Sequence, residues 1–147
     1  MVSFWDSSAL FPLLHLEQNS EQLFALQDRD PELVIWWGSR VECASAIARL
    51  HRERRINDAE AIQLRNVLDR TIALAVEIAP SFALRDRAER LVATHPLRAA
   101  DAFQLAAALA WAREQPARRG FVALDQQLRR AALLEGFSVL PSTRDAV

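Results

Sequence analysis

The sequence predicts an α/β fold: a central, mostly parallel sheet of about four to five strands covered by helices on both faces. Three observations carry that expectation. Short apolar runs at residues 2–5, 33–37, 121–124 and 137–140 are continuous rather than alternating, as in strands buried on both sides. Segments with apolar residues at helical spacing separate them along the whole chain, the pattern of repeated strand–helix units. The first and third runs end abruptly on a carboxylate, Asp6 and Asp125, which then opens a helix.

Each element follows from local chemistry. After the first strand, residues 7–16 place Leu10, Leu13 and Leu14 on one helical side despite Pro12. Residues 20–28 form a second amphipathic segment with Leu23, Phe24 and Leu26, and Asp30-Pro31 ends it. The β-prone run 33–37 stops at Gly38, and Ser39 opens a helix over 39–54 whose far end is basic. Asn57-Asp58 caps a helix over 59–74, residues 73–78 read as a short strand, and Ser81 caps a helix over 82–93. His95-Pro96 breaks the chain before an Ala- and Leu-rich helix over 97–113, closed by Pro116 and Gly120. Strand 121–124, a helix over 125–134 ended by Gly136, and strand 137–140 complete the series.

At 147 residues the chain is expected to form one domain, residues 1–147, with a substantial core. No apolar run is long enough to span a bilayer, and Asp6 interrupts any secretory-signal layout. The single cysteine, Cys43, excludes an intramolecular disulfide and reads as a small core residue, so the expected compartment is cytoplasmic. A net charge of −1 supplies no general basic field for nucleic acid. All 18 basic residues are Arg, and Arg49, Arg52, Arg54 and Arg55 form the densest cluster, a candidate phosphate-binding patch or a solvated helix end. Trp36 and Trp37 are candidates for base stacking, for the core or for a subunit interface.

Four acids stand at or just inside helix starts: Asp6, Glu42, Asp101 and Asp125. Each has a local explanation. Asp6 and Asp125 suit N-caps, Ser39 with Glu42 matches a capping box, and Asp101 can pair with Arg98 one turn earlier. Together they say more. In a parallel sheet the ends of the strands and the starts of the helices share one edge, and carboxylates gathered there repel unless a cation joins them. Oxygen-only ligands select Mg²⁺ or Mn²⁺ over Zn²⁺, and the three His residues show no ligand spacing.

Four stretches in this order resemble the PIN-domain ribonucleases, specifically the toxins of VapBC-type toxin–antitoxin pairs. They are Trp5-Asp6-Ser7-Ser8-Ala9-Leu10, Val41-Glu42-Cys43-Ala44, the run from Leu97 to Ala108 centred on Asp101-Ala102-Phe103, and Phe121-Val122-Ala123-Leu124-Asp125. The resemblance implies a PIN-like fold and endonucleolytic, Mg²⁺- or Mn²⁺-dependent cleavage of RNA. Asp6, Glu42, Asp101 and Asp125 would be the catalytic, metal-holding acids, with Ser7 or Ser8 supporting a ligand or a water behind them. Arg49, Arg52, Arg54 and Arg55 would be RNA contacts. It also implies a small cognate antitoxin that covers the site. Leu13, Leu14, Leu16 and Phe24 are candidates either for the walls of its groove or for ordinary core, a homodimer is expected, and a membrane is not. Ala123 departs from the family, which usually has Thr or Ser two residues before the last Asp.

Two other readings compete. In one, the fold is kept as a non-catalytic protein-binding module and the acids only cap helices. In the other, Asp6 is a phosphoryl acceptor, but such sites want a Lys beside the acid and the chain has none.

Overall fold

A computed structural model describes residues 1–142. In chain order these form β1 (Ser3–Trp5), α1 (Ser7–Leu14), α2 (Ser20–Arg29), β2 (Leu33–Trp36), α3 (Ser39–Arg52) and α4 (Asp58–Leu74). Then come β3 (Val76–Ile78), α5 (Phe82–Thr94), α6 (Ala99–Trp111), β4 (Gly120–Val122), α7 (Gln126–Glu135) and β5 (Ser138–Leu140). The five strands lie in the order β3-β2-β1-β4-β5, and every pairing is parallel. The fold class is therefore α/β, with a sheet that is wholly parallel among the described residues.

Strand side chains alternate between two apolar layers. Phe4, Val34, Trp36, Phe121 and Ala123 join the layer built with α5, α6 and α7. Trp5, Leu33, Ile35 and Val122 join the layer built with α1, α2, α3 and α4. Both sheet faces are thus covered, which is why the inner strands read as unbroken apolar runs. Among the described residues no helix is long and apolar enough to cross a membrane.

The strand order also fixes where a site can form. The chain leaves β1 toward β2 and β3, then crosses back to place β4 on the other side of β1. The crevice beyond the carboxyl ends of β1 and β4 is the topological switch point, where ligands of open α/β sheets bind.

Three local expectations change. The third strand is shorter than 73–78, because α4 keeps its helical bonding through Leu74. Helix α6 begins at Ala99 rather than Leu97, because Arg98 is extended and takes the N-cap position. Ser39 and Glu42 do not form a capping box: Gly38 holds the N-cap position of α3, Ser39 is already inside the helix, and its hydroxyl is used elsewhere. The expected cap at Asn57 does form, and the structure makes it a capping box with Glu60 as its reciprocal partner, while Ser81 caps α5 through the Leu84 N–H.

Candidate active site

Asp6 stands one residue past β1, and its backbone N–H donates to the Val122 carbonyl at 2.9 Å, fastening it to β4. Its side chain caps α1 by accepting from the Ser8 N–H at 3.0 Å, and the Ser8 hydroxyl donates to the same carboxylate oxygen. Ser8 Oγ in turn accepts from the Leu124 N–H at 3.0 Å. One serine therefore locks the β1–α1 junction to the β4–α7 junction that carries Asp125. The capping and clustering roles of Asp6 coexist.

Glu42 lies on the first turn of α3 and is held on both oxygens. Ser7 Oγ donates to Oε2 at 2.7 Å, and Gln104 Nε2 donates to Oε1 at 2.9 Å. The same Gln104 nitrogen donates to Ser39 Oγ at 2.9 Å. Gln104 is fully buried, and its Oε1 has no hydrogen-bond partner among the described residues. It was not a candidate in the sequence. The available signal was a lone amide three residues after Asp101, hence on the same helical side, in an otherwise apolar helix.

Asp101 sits in the first turn of α6 and accepts a backbone hydrogen bond from Arg98. No Asp101–Arg98 ion pair forms among the described residues; the guanidinium acts on Asp101 from further away. Asp125 occupies the N-cap position of α7, yet its side chain makes no capping bond.

These four acids line one pocket of about 320 Å³ together with Ser7, Ser8, Phe11, Cys43 and Arg49. Their charges act on one another. The Asp6 carboxyl is pushed up to about 6, mainly by burial and further by Glu42 and Asp101, against the opposing Ser8 bonds. Asp101 is raised by burial, then by Asp125 and Glu42. Cys43, buried beneath Glu42 and Asp6, is pushed up to about 12, mainly by burial, so it stays a protonated core thiol.

The basic cluster divides. Arg49 lines the acid pocket, whereas Arg52, Arg54 and Arg55 line a separate depression with His51, Asp58 and Glu60. Ala123 is fully buried in the apolar layer under α6 and α7, where a methyl replaces the hydroxyl usual in the resembling family.

Among the described residues no group of three or more His, Cys, Asp or Glu stands as a ready metal-holding cluster. The donor chemistry nevertheless fits a hard divalent cation: the acids offer only oxygen, and burial together with mutual repulsion raises two of them. Mg²⁺ keeps several of its waters and needs only one or two direct carboxylates, which suits an open pocket. No family model matches the chain, and no curated protein matches it at a significant level.

Proposed function

We propose that this chain is a divalent-metal-dependent endoribonuclease acting as the toxin of a type II toxin–antitoxin pair. The observation that supports this reading is the convergence of Asp6, Glu42, Asp101 and Asp125, from four elements, on one pocket at the switch point of the sheet. Such a pocket repels a polyanion on its own. It becomes useful for phosphodiester chemistry once a cation balances the carboxylates. Asp6, Glu42, Asp101 and Asp125 would hold Mg²⁺ or Mn²⁺, directly or through water. The bound cation supplies Lewis acidity at the scissile phosphate and neutralises the charge that builds there. The residues of the chain do the rest. Ser7 and Gln104 fix the orientation of Glu42, and Ser8 fixes that of Asp6. Arg49 at the pocket edge offers a cation to a flanking phosphate.

A non-catalytic reading draws on two bonds: Asp6 caps α1, and Asp101 accepts from the Arg98 backbone. Glu42 and Asp125 give it no support, because neither side chain makes a capping bond and both line the same pocket. Cleavage of total RNA with and without Mg²⁺ decides between the two. Wild type should cut only with the metal, and Asp101→Asn should lose at least a hundredfold in rate while keeping its fold. A wild type that cuts nothing with or without Mg²⁺ would leave only the non-catalytic reading, and near wild-type cleavage by Asp101→Asn would take the chemistry away from the four-acid pocket.

A further inference from the structure

Beside the acid pocket, on the same carboxyl edge of the sheet, lies an apolar groove of about 740 Å³. Its floor is a parallel stack of Trp36, at the end of β2, on Phe103 of α6, with centroids 5.6 Å apart and planes inclined by 2°. Its rim carries two exposed aromatic side chains, Trp37 at 56% and Phe82 at 77% exposure. Arg85 is the one charged residue lining it among the described residues, with its guanidinium carbon 5.1 Å from the Phe82 ring centre. Gly38 makes the floor possible, because a Cβ there would stand 2.4 Å from Trp36 Nε1.

The groove and the acid pocket share no lining residue, but α6 and the start of α3 supply or adjoin both. Phe103 lies two residues after Asp101 and directly precedes Gln104, the donor to Glu42. Trp37 lies two residues before Ser39, which accepts from the same Gln104. Strand β2, which ends at the groove, pairs with β1, which ends at Asp6, and paired strands lie on the order of 5 Å apart.

We propose that this groove is a stacking platform for one or two unpaired nucleobases of the RNA strand whose phosphodiester enters the acid pocket, an inference that rests on the ribonuclease reading above. A pocket lined by carboxylates gives RNA no binding energy before its cation arrives, so affinity must come from neighbouring surface. Stacking on aromatic faces is insensitive to charge and to base identity, and Arg85 adds one phosphate contact with no lining acid to oppose it. Size favours bases over a second subunit. The volume falls in the range of small-ligand pockets, whereas a stable subunit interface needs about 20–30 residues a side and eight residues line this groove.

The test is fluorescence anisotropy of a labelled eight-nucleotide single-stranded RNA, read on an Asp101→Asn background with Mg²⁺ so that the probe is not cut. Adding Trp37→Ala or Phe82→Ala should weaken binding about tenfold each, and Trp37→Phe should restore most of it. An abasic version of the probe should bind weakly and ignore Trp37→Ala. Arg85→Ala should lower the salt slope by about one. Both aromatics are exposed, so melting curves should match the parent and exclude misfolding. Unchanged affinity in both alanine variants overturns the platform. So does a shift from dimer to monomer in sedimentation with affinity per protomer unchanged, which would make the groove a contact between copies. Cleavage by the otherwise wild-type chain is scored separately: a protein that cuts RNA but binds it normally without Trp37 loses the platform alone. One that binds through the groove and never cuts loses the ribonuclease reading alone.

Discussion

Asp6 carries two obligations that pull against each other: it caps α1, which favours an anion at a helix start, and it is 2% exposed among other acids, which disfavours one. The second wins in the metal-free protein, since its carboxyl rises from 3.8 to about 6. A raised folded value means that the folded chain holds a proton the unfolded chain has lost. The associated stability is complete below about pH 3.8 and disappears as pH rises through about 6. The shift corresponds to about 3 kcal/mol. Asp6→Asn keeps an oxygen for the Ser8 bonds and has no charge to bury. Thermal melts in chelator should therefore coincide for the two proteins near pH 4, with the variant more stable by pH 7; curves that stay parallel from pH 4 to 7 would sink the buried-charge account. At Glu42 the corrected bonding changes what Ser39 does. Ser39→Ala removes a buried acceptor of Gln104 rather than a cap, and should cost about 1–3 kcal/mol in urea unfolding. Glu42→Gln should cost less and yet remove most cleavage; a fully active Glu42→Gln excludes the anion from the chemistry. The four acids were legible because each stands at a strand end or in a first helical turn, where sequence pattern reports position. Gln104 was not, because its partners are 62 and 65 residues away and no local period encodes them.

Among the elements, those with both faces buried or with side-chain caps were the readable ones. Helix α4 starts where Asn57 and Glu60 satisfy each other's backbone partners, and α5 starts where Ser81 does. The boundary between α4 and β3 was blurred for a physical reason. β3 is an edge strand with Val76 and Glu77 exposed, so burial imposes no pattern on it, and its pairing with Val34 decides where it begins. The element junctions, more than the elements, shape the site, and Ser8 distinguishes the two. Ser8→Ala should leave the Leu124 N–H without its partner, cost about 1–3 kcal/mol, and lower cleavage because Asp6 and Asp125 lose their common tie. Asn57→Ala should cost about 1 kcal/mol with cleavage unchanged, since it caps a helix whose start lies at the separate basic depression. Urea unfolding and an RNA cleavage assay on the same two proteins check this. Equal loss of activity in both would mean that cleavage follows global stability rather than the β1–β4 junction.

At the scale of the molecule, the sheet brings every carboxylate of the site to one edge, and that edge decides how the protein can be silenced. A ribonuclease free in its own cell is harmful, so the proposed function calls for a covering partner, the small antitoxin. A pocket lined by four acids admits a cation and repels an acid, so the expected plug is an Arg of the partner, bidentate on the carboxylates in place of the metal. Phe11 of α1 lines the pocket. Of the four residues expected to wall an antitoxin groove, Leu14 belongs to the core and Leu13 packs against it, which leaves Leu16 at 79% and Phe24 at 36% exposure for an apolar partner segment. Leu16→Ser together with Phe24→Ser should therefore weaken the complex at least tenfold while leaving the fold and the cleavage of the free protein intact. The measurement is co-expression with the neighbouring small reading frame, followed by pull-down and RNA cleavage. A silent complex that is reactivated when the partner's Arg becomes Ala, and that fails to form with the two serines in place, fits the pocket and the helix surface together. A stable complex that cuts RNA as fast as the free chain would show that the partner sits elsewhere and that the acid edge stays open.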